Sequence, residues 1–153
     1  KFDFKKEYEL LASKHNLPTF DNLNNDFEIE TLENKHFVLR AVRRRMNEKL
    51  IFFCKILENI LYPTTQNPII NYESSFFDEE TRKNLVKVHK QLLIFDRHSL
   101  SIDVNPNEQD DINFINNLFK EWFYFKEELG KVVNSMEESW KKEDNNNGEG
   151  YFG

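Results

Sequence analysis

The sequence predicts an all-α fold, an elongated antiparallel bundle of three long helices with a shorter helix at the N-terminus. Three observations predict it. Apolar residues recur at steps of three and four over three long stretches, the spacing of a helix seam. Gly and Pro occur only four times each in 153 residues, too few for a turn-rich β architecture. Aromatic residues make up 14% of the chain, with Phe alone occurring 15 times, which supplies the bulk of a core that a disordered chain lacks. The length suits one domain, expected over residues 1–142, with a polar, disordered tail over 143–153.

Asp3 suits the N-cap of a first helix that carries Phe4, Tyr8 and Leu11 on one stripe and fades near Asn16. Leu17-Pro18 breaks it. Phe20, Leu23 and Phe27 then fall at helical spacing, enough for one weak turn. Phe27, Ile29 and Thr31 alternate with Glu28 and Glu30, the period of an extended connection. The second main helix is predicted from about Leu32 to Leu61, capped by Thr31 and stopped before Pro63. Its seam is Leu39, Val42, Met46, Leu50, Phe53, Leu57 and Ile60.

Pro63 to Phe77 is the longest connection, and its Ile69, Ile70, Tyr72, Phe76 and Phe77 predict that it folds over one end of the core. The third main helix starts after Asp78, with Glu79 and Glu80 in its first turn. Leu85, Val88, Leu92 and Phe95 are its seam. Leu100, Ile102 and Val104 alternate like a strand but are assigned to the helix end. The last helix is predicted to use Asn105 as its cap, Pro106 as its first residue and Glu108 three places on. Its seam runs from Ile115 through Trp122 and Phe125 to Met136, with an extension to Trp140.

Charge and composition exclude several functions. The net charge of −6 disfavours a general nucleic-acid binder, and a single cysteine excludes an internal disulfide. The longest apolar run, Leu50 to Cys54, is far too short to span a bilayer. No apolar signal core opens the sequence, so a cytoplasmic location is expected. Cys54 sits in an apolar run with no base nearby in sequence and reads as a core thiol. There is no glycine-rich phosphate loop. Glu33-Asn34-Lys35-His36 is one Glu-x-x-His motif, whereas a di-metal bundle site needs two, so no metal or cofactor is expected.

Three groups of residues remain as candidate sites. The first is Arg82 and His89, separated by six residues on one helix. This spacing resembles the Arg-x(4–6)-His motif of HEPN ribonucleases, which are small all-α proteins. The resemblance implies that Arg82 and His89 act at the scissile phosphate of RNA. Lys83 follows the arginine where that family favours Asn, Asp or His.

The second group is Arg40, Arg43 and Arg44, a cationic patch suited to RNA phosphate or an acidic partner. The competing reading is internal pairing with the acids that open the third helix, Asp78 to Glu80, or the last one, Glu108, Asp110 and Asp111. The third group is Phe119, Phe123 and Tyr124, aromatic residues that one seam cannot hide together with Trp122 and Phe125. Either the N-terminal helix or the Pro63–Phe77 connection covers them, or they bind a partner. The tail adds Gly150-Tyr151-Phe152-Gly153, read as an inert end rather than a docking motif.

The expected function is a non-enzymatic interaction module that binds a protein partner or a second copy of itself through Phe119, Phe123 and Tyr124. The alternative is an RNA-associated helical protein, binding through Arg40, Arg43 and Arg44 or cleaving through Arg82 and His89.

Overall fold

The structure is a computed structural model that describes residues 1–64 and 66–145, with side chains up to residue 142. The chain is a helical bundle. Among the described residues there are six α-helices and no strand: α1 (Phe4–His15), α2 (Phe20–Phe27), α3 (Val38–Leu61), α4 (Pro68–Ser74), α5 (Glu79–Val104) and α6 (Glu108–Asn145).

Local chemistry sets most of the boundaries. The Asp3 carboxylate accepts from the Lys6 N–H and opens α1, and the Thr19 hydroxyl accepts from the Asn22 N–H and opens α2. Asn16 and Glu28, both at positive φ, end these two helices. Where an extended connection was expected, Ile29–Thr31 forms a 3₁₀ turn. The Thr31 hydroxyl donates to the Glu28 carbonyl within that turn, so it does not cap α3. Helix α3 therefore starts at Val38, six residues later than Leu32, after Phe37 at φ 56°.

The 63–77 connection contains a helix that periodicity did not predict. Asn67 caps α4 by accepting from the N–H groups of Ile69 and Ile70, with Pro68 in the first turn. Asp78 caps α5 through the Thr81 N–H at 2.8 Å, a bond that lowers its carboxyl pKa. Helix α5 runs unbroken to Val104, with Ile102 buried while Leu100 and Val104 are exposed. A strand would have put all three on one face. The cap of α6 is Asn107, which accepts from the Asp110 N–H, rather than Asn105, so Pro106 lies before the helix. Helix α6 runs past Trp140 to Asn145, so residues 143–145, expected in the disordered tail, belong to it. The rest of the expected tail, with its Tyr151-Phe152 pair, lies outside the described residues.

The chain divides into two compact units, to which α3, α5 and α6 each contribute. The first comprises residues 1–54 and 91–123. Trp122 is buried in it, stacked on Phe53 at 4.7 Å and 5° and tilted against Phe27 at 4.7 Å. Val42, Met46, Leu50, Leu92, Phe114, Ile115 and Leu118 are also fully buried in this unit, each worth about 1.5–3 kcal/mol of transfer free energy. Tyr8 is also fully buried, with its hydroxyl donating to the Pro18 carbonyl at 2.7 Å, and burial pushes its phenol pKa up. Along α3, Arg43 meets Ser99 and Asp103, and Asn47 meets Asp96. The order reverses, so α3 and α5 are antiparallel.

Of the described residues, the second unit comprises 55–64, 66–90 and 124–145. Leu57, Ile60, Phe77, Leu85, Val88, Phe125, Leu129 and Val132 are buried within it. Tyr72 and Phe76 pack their ring edges against Trp140, whose Nε1–H donates to Glu73 at 2.9 Å. Phe77 and Ser74 are buried, so part of the long connection does serve as core.

Candidate functional site

The aromatic candidates divide by helix face. Trp122 and Phe125 point inward, as α6 periodicity requires. Phe119 is half-buried, and Phe123, one turn further on, is 67% exposed. Tyr124 belongs to the second unit, is 39% exposed and lies 5.7 Å from the Phe125 ring. Among these candidates, then, Phe123 stands mostly in solvent beside a partly covered ring.

The arginine candidates separate more sharply. Arg43 is fully buried, which corrects its assignment to an outward-facing anion site. Its Nε donates to Asp111 at 2.5 Å, one Nη to the Ser99 hydroxyl at 2.6 Å and the other Nη to Asp103 at 2.6 Å. The internal pairing considered from the sequence is therefore present, with Asp111 as one partner. Asp103 and Ser99 were not foreseen. Asp103 and Ser99 sit one turn apart on α5, a spacing that becomes informative only once α5 is known to continue that far.

The two carboxylates respond differently. Burial raises the Asp111 pKa and outweighs the opposing charge and hydrogen bond of Arg43. Burial also acts to raise Asp103, but hydrogen bonds from Arg43 and Arg44 outweigh it and leave the carboxyl below its usual range.

Arg44 remains largely exposed and shares Asp103 at 3.1 Å. Arg45 donates to the Glu28 carbonyl and the Thr31 hydroxyl and pairs with Glu48 at 3.3 Å, which anchors the 3₁₀ turn to α3. Arg40 lies over the Phe37 ring, 4.2 Å from its centroid. Its Nε is shielded from solvent and has no hydrogen-bond partner among the described residues. Arg40, Arg44 and Arg45 line a cleft of about 220 Å³ at the start of α3, together with His36 and Phe37.

Arg82 and His89 are both engaged in holding the second unit together. Arg82 donates to the carbonyls of Phe77, Ile60 and Ser74 and to the Ser74 hydroxyl. That uses four of the five guanidinium donors and leaves little for a phosphate. His89 is buried, with Nε2 3.1 Å from a Glu58 carboxylate oxygen and its ring 6.0 Å from that of Tyr62. This geometry does not present Arg82 to a scissile phosphate as the HEPN resemblance implied. The arginine instead caps carbonyls at the end of α3 and in α4.

Cys54 is buried. Among the described residues no His, Cys, Asp and Glu side chains gather where they could hold a metal ion, and no helix is long and apolar enough to cross a membrane. Comparisons of this chain with protein-family models, curated proteins and solved structures found no match.

Proposed function

We propose that the protein is a non-enzymatic interaction module that engages a protein partner, or a second copy of itself, through the Phe119–Phe123 face of α6. The observation that carries this reading is the 67% exposure of Phe123 one turn beyond half-buried Phe119. Leaving a Phe ring in water forgoes about 1.5–3 kcal/mol that a covering surface would recover. Aromatic rings, Phe among them, are enriched at the buried core of protein interfaces. The engagement of Arg82 in carbonyl capping and the burial of Cys54 also favour binding over catalysis.

The test is light scattering and chemical cross-linking of the pure protein over a range of concentrations, alongside capture of partners from nuclease-treated lysate. Phe119→Ala and Phe123→Ala are expected to weaken self-association or partner capture while helix content stays the same. Unchanged assembly and partners in both variants would remove the basis for the proposal. The RNA-binding alternative retains only Arg40 and Arg44, because Arg43 is inside.

A further inference from the structure

We propose that the cleft at the start of α3 binds a phosphoryl anion carried by a small molecule, with Arg40 as the principal ligand and Arg44 as the second. The charge inventory points there first. Arg40, Arg43 and Arg44 face two carboxylates, Asp103 and Asp111. Arg43 bonds both, and Arg44 shares Asp103. Among the described residues Arg40 makes no ion pair and has the longer-range attraction of Asp111, so one guanidinium charge of the group is uncompensated there. The sole carboxylate lining the cleft, Glu48, is paired with Arg45.

The geometry points the same way. Arg40 and Arg44 both line the cleft, so their two guanidinium groups border one opening. A guanidinium presents its donors as a planar fork that matches phosphoryl oxygens. Here that plane is already held on the Phe37 ring. Phe37 adopts φ 56°, a left-handed conformation that is an outlier for a bulky side chain, and such strain concentrates at ligand-binding positions. Phe37 also directly precedes α3, and while its carbonyl accepts from the Ala41 N–H, it has no side-chain oxygen with which to cap the helix. The positive end of a 24-residue helix therefore adds to the field in the cleft.

The same observations favour a small ligand over a polymer. The chain carries a net charge of −6, and Glu30 and Glu33 flank Leu32, the first cleft residue in sequence. A long polyanion would meet that repulsion, whereas a single phosphoryl group seated against Arg40 would not. Phe37, 67% exposed, offers a ring against which an attached base could stack.

The experiment is a ¹⁵N NMR titration of the full chain with inorganic phosphate and, separately, with adenosine monophosphate, each against sodium chloride at matched ionic strength. Saturable shifts at Phe37, Arg40 and Arg44 are expected, and affinity at least tenfold lower in Arg40→Gln and in Arg44→Gln. Equal affinity for both probes identifies free phosphate as sufficient. Tighter nucleotide binding that Phe37→Ala abolishes identifies a ligand with an aromatic base. Shifts that do not saturate, that sodium chloride reproduces, or that survive Arg40→Gln overturn the proposal. If Arg40→Gln does not fold, unchanged affinity in Arg44→Gln, whose side chain is largely exposed, overturns it instead. Binding of a single-stranded RNA oligonucleotide with no response to either small probe also overturns it.

Discussion

Arg43 and Asp111, 68 positions apart in the chain, meet at 2.5 Å with both side chains buried. This pair turns the centre of the most arginine-dense stretch of the sequence inward. Arg43 bonds to α5 and α6 at once, through Ser99, Asp103 and Asp111, so one side chain on α3 ties together the three long helices. A guanidinium suits that position because its five donors radiate in a plane.

Removing one partner of this network is expected to cost far more than removing both. Arg43→Ala leaves Asp111 buried without its cation and should lower stability by about 3–5 kcal/mol. The double variant Arg43→Met, Asp111→Leu removes both charges and should recover most of the loss. Urea denaturation of the three proteins checks this. A double variant no more stable than Arg43→Ala would show that the pair contributes more than charge compensation.

The two acids of the network have opposite pH signatures. Asp103 has a lowered pKa in the folded protein, so its contribution is present above the unfolded value of about 3.9 and is lost as pH falls through the folded value. Asp111 has a raised pKa, so its protonation linkage favours the folded state at low pH and declines as pH rises through the folded value. Asp103→Asn should therefore lower the urea midpoint by a constant amount above about pH 5. The difference from the parent protein should shrink toward zero below about pH 3.9. A difference independent of pH down to pH 2 would show that Asp103 acts through shape rather than charge.

The seams of the three long helices were legible in the sequence because each buries one face. Leu39, Val42, Met46, Leu50, Leu57 and Ile60 are all buried as their spacing requires. Helix α4 was not legible, because seven residues are too few to show a period, and its cap, Asn67, looks like any loop residue. The start of α3 was misplaced because Phe37 takes a positive φ, which no local pattern signals for a Phe. The arginines were legible as a cluster but not as separate roles. Arg43 and Arg40 lie three residues apart, and only the arrival of Asp103, Ser99 and Asp111 from other helices decides which is neutralised. The Arg82–His89 spacing was genuine as a pattern, but the carbonyl partners of Arg82 come from the end of α3 and from α4, which spacing along α5 cannot reveal.

Trp122 lies against Phe53 and Phe27, and its indole N–H is buried with no acceptor among the described residues. Trp122→Ala should cost about 3–5 kcal/mol through the cavity it leaves. Trp122→Phe keeps an aromatic ring on Phe53 and gives up no hydrogen bond, so it should cost clearly less. Thermal denaturation of both variants makes the comparison. Equal losses would mean that the indole bulk, not the stack, supports the first unit.

Arg82 separates a structural role from a catalytic one. Its donors reach the carbonyl of Ile60 at the end of α3 and those of Ser74 and Phe77 at and just past the end of α4, and a lysine ammonium cannot span them with the same geometry. Arg82→Lys keeps the charge but should lose roughly 2–3 kcal/mol, the scale of a hydrogen bond to a charged donor left unmade. Amide exchange should accelerate in α4 before it does in the rest of the second unit, because α4 is short and relies on that capping. Denaturation and hydrogen exchange on the parent and Arg82→Lys proteins test this together. Native stability and unchanged α4 exchange in the variant would mean that Arg82 is free for another task. A ribonuclease assay of Arg82→Lys and His89→Ala would then be the deciding measurement.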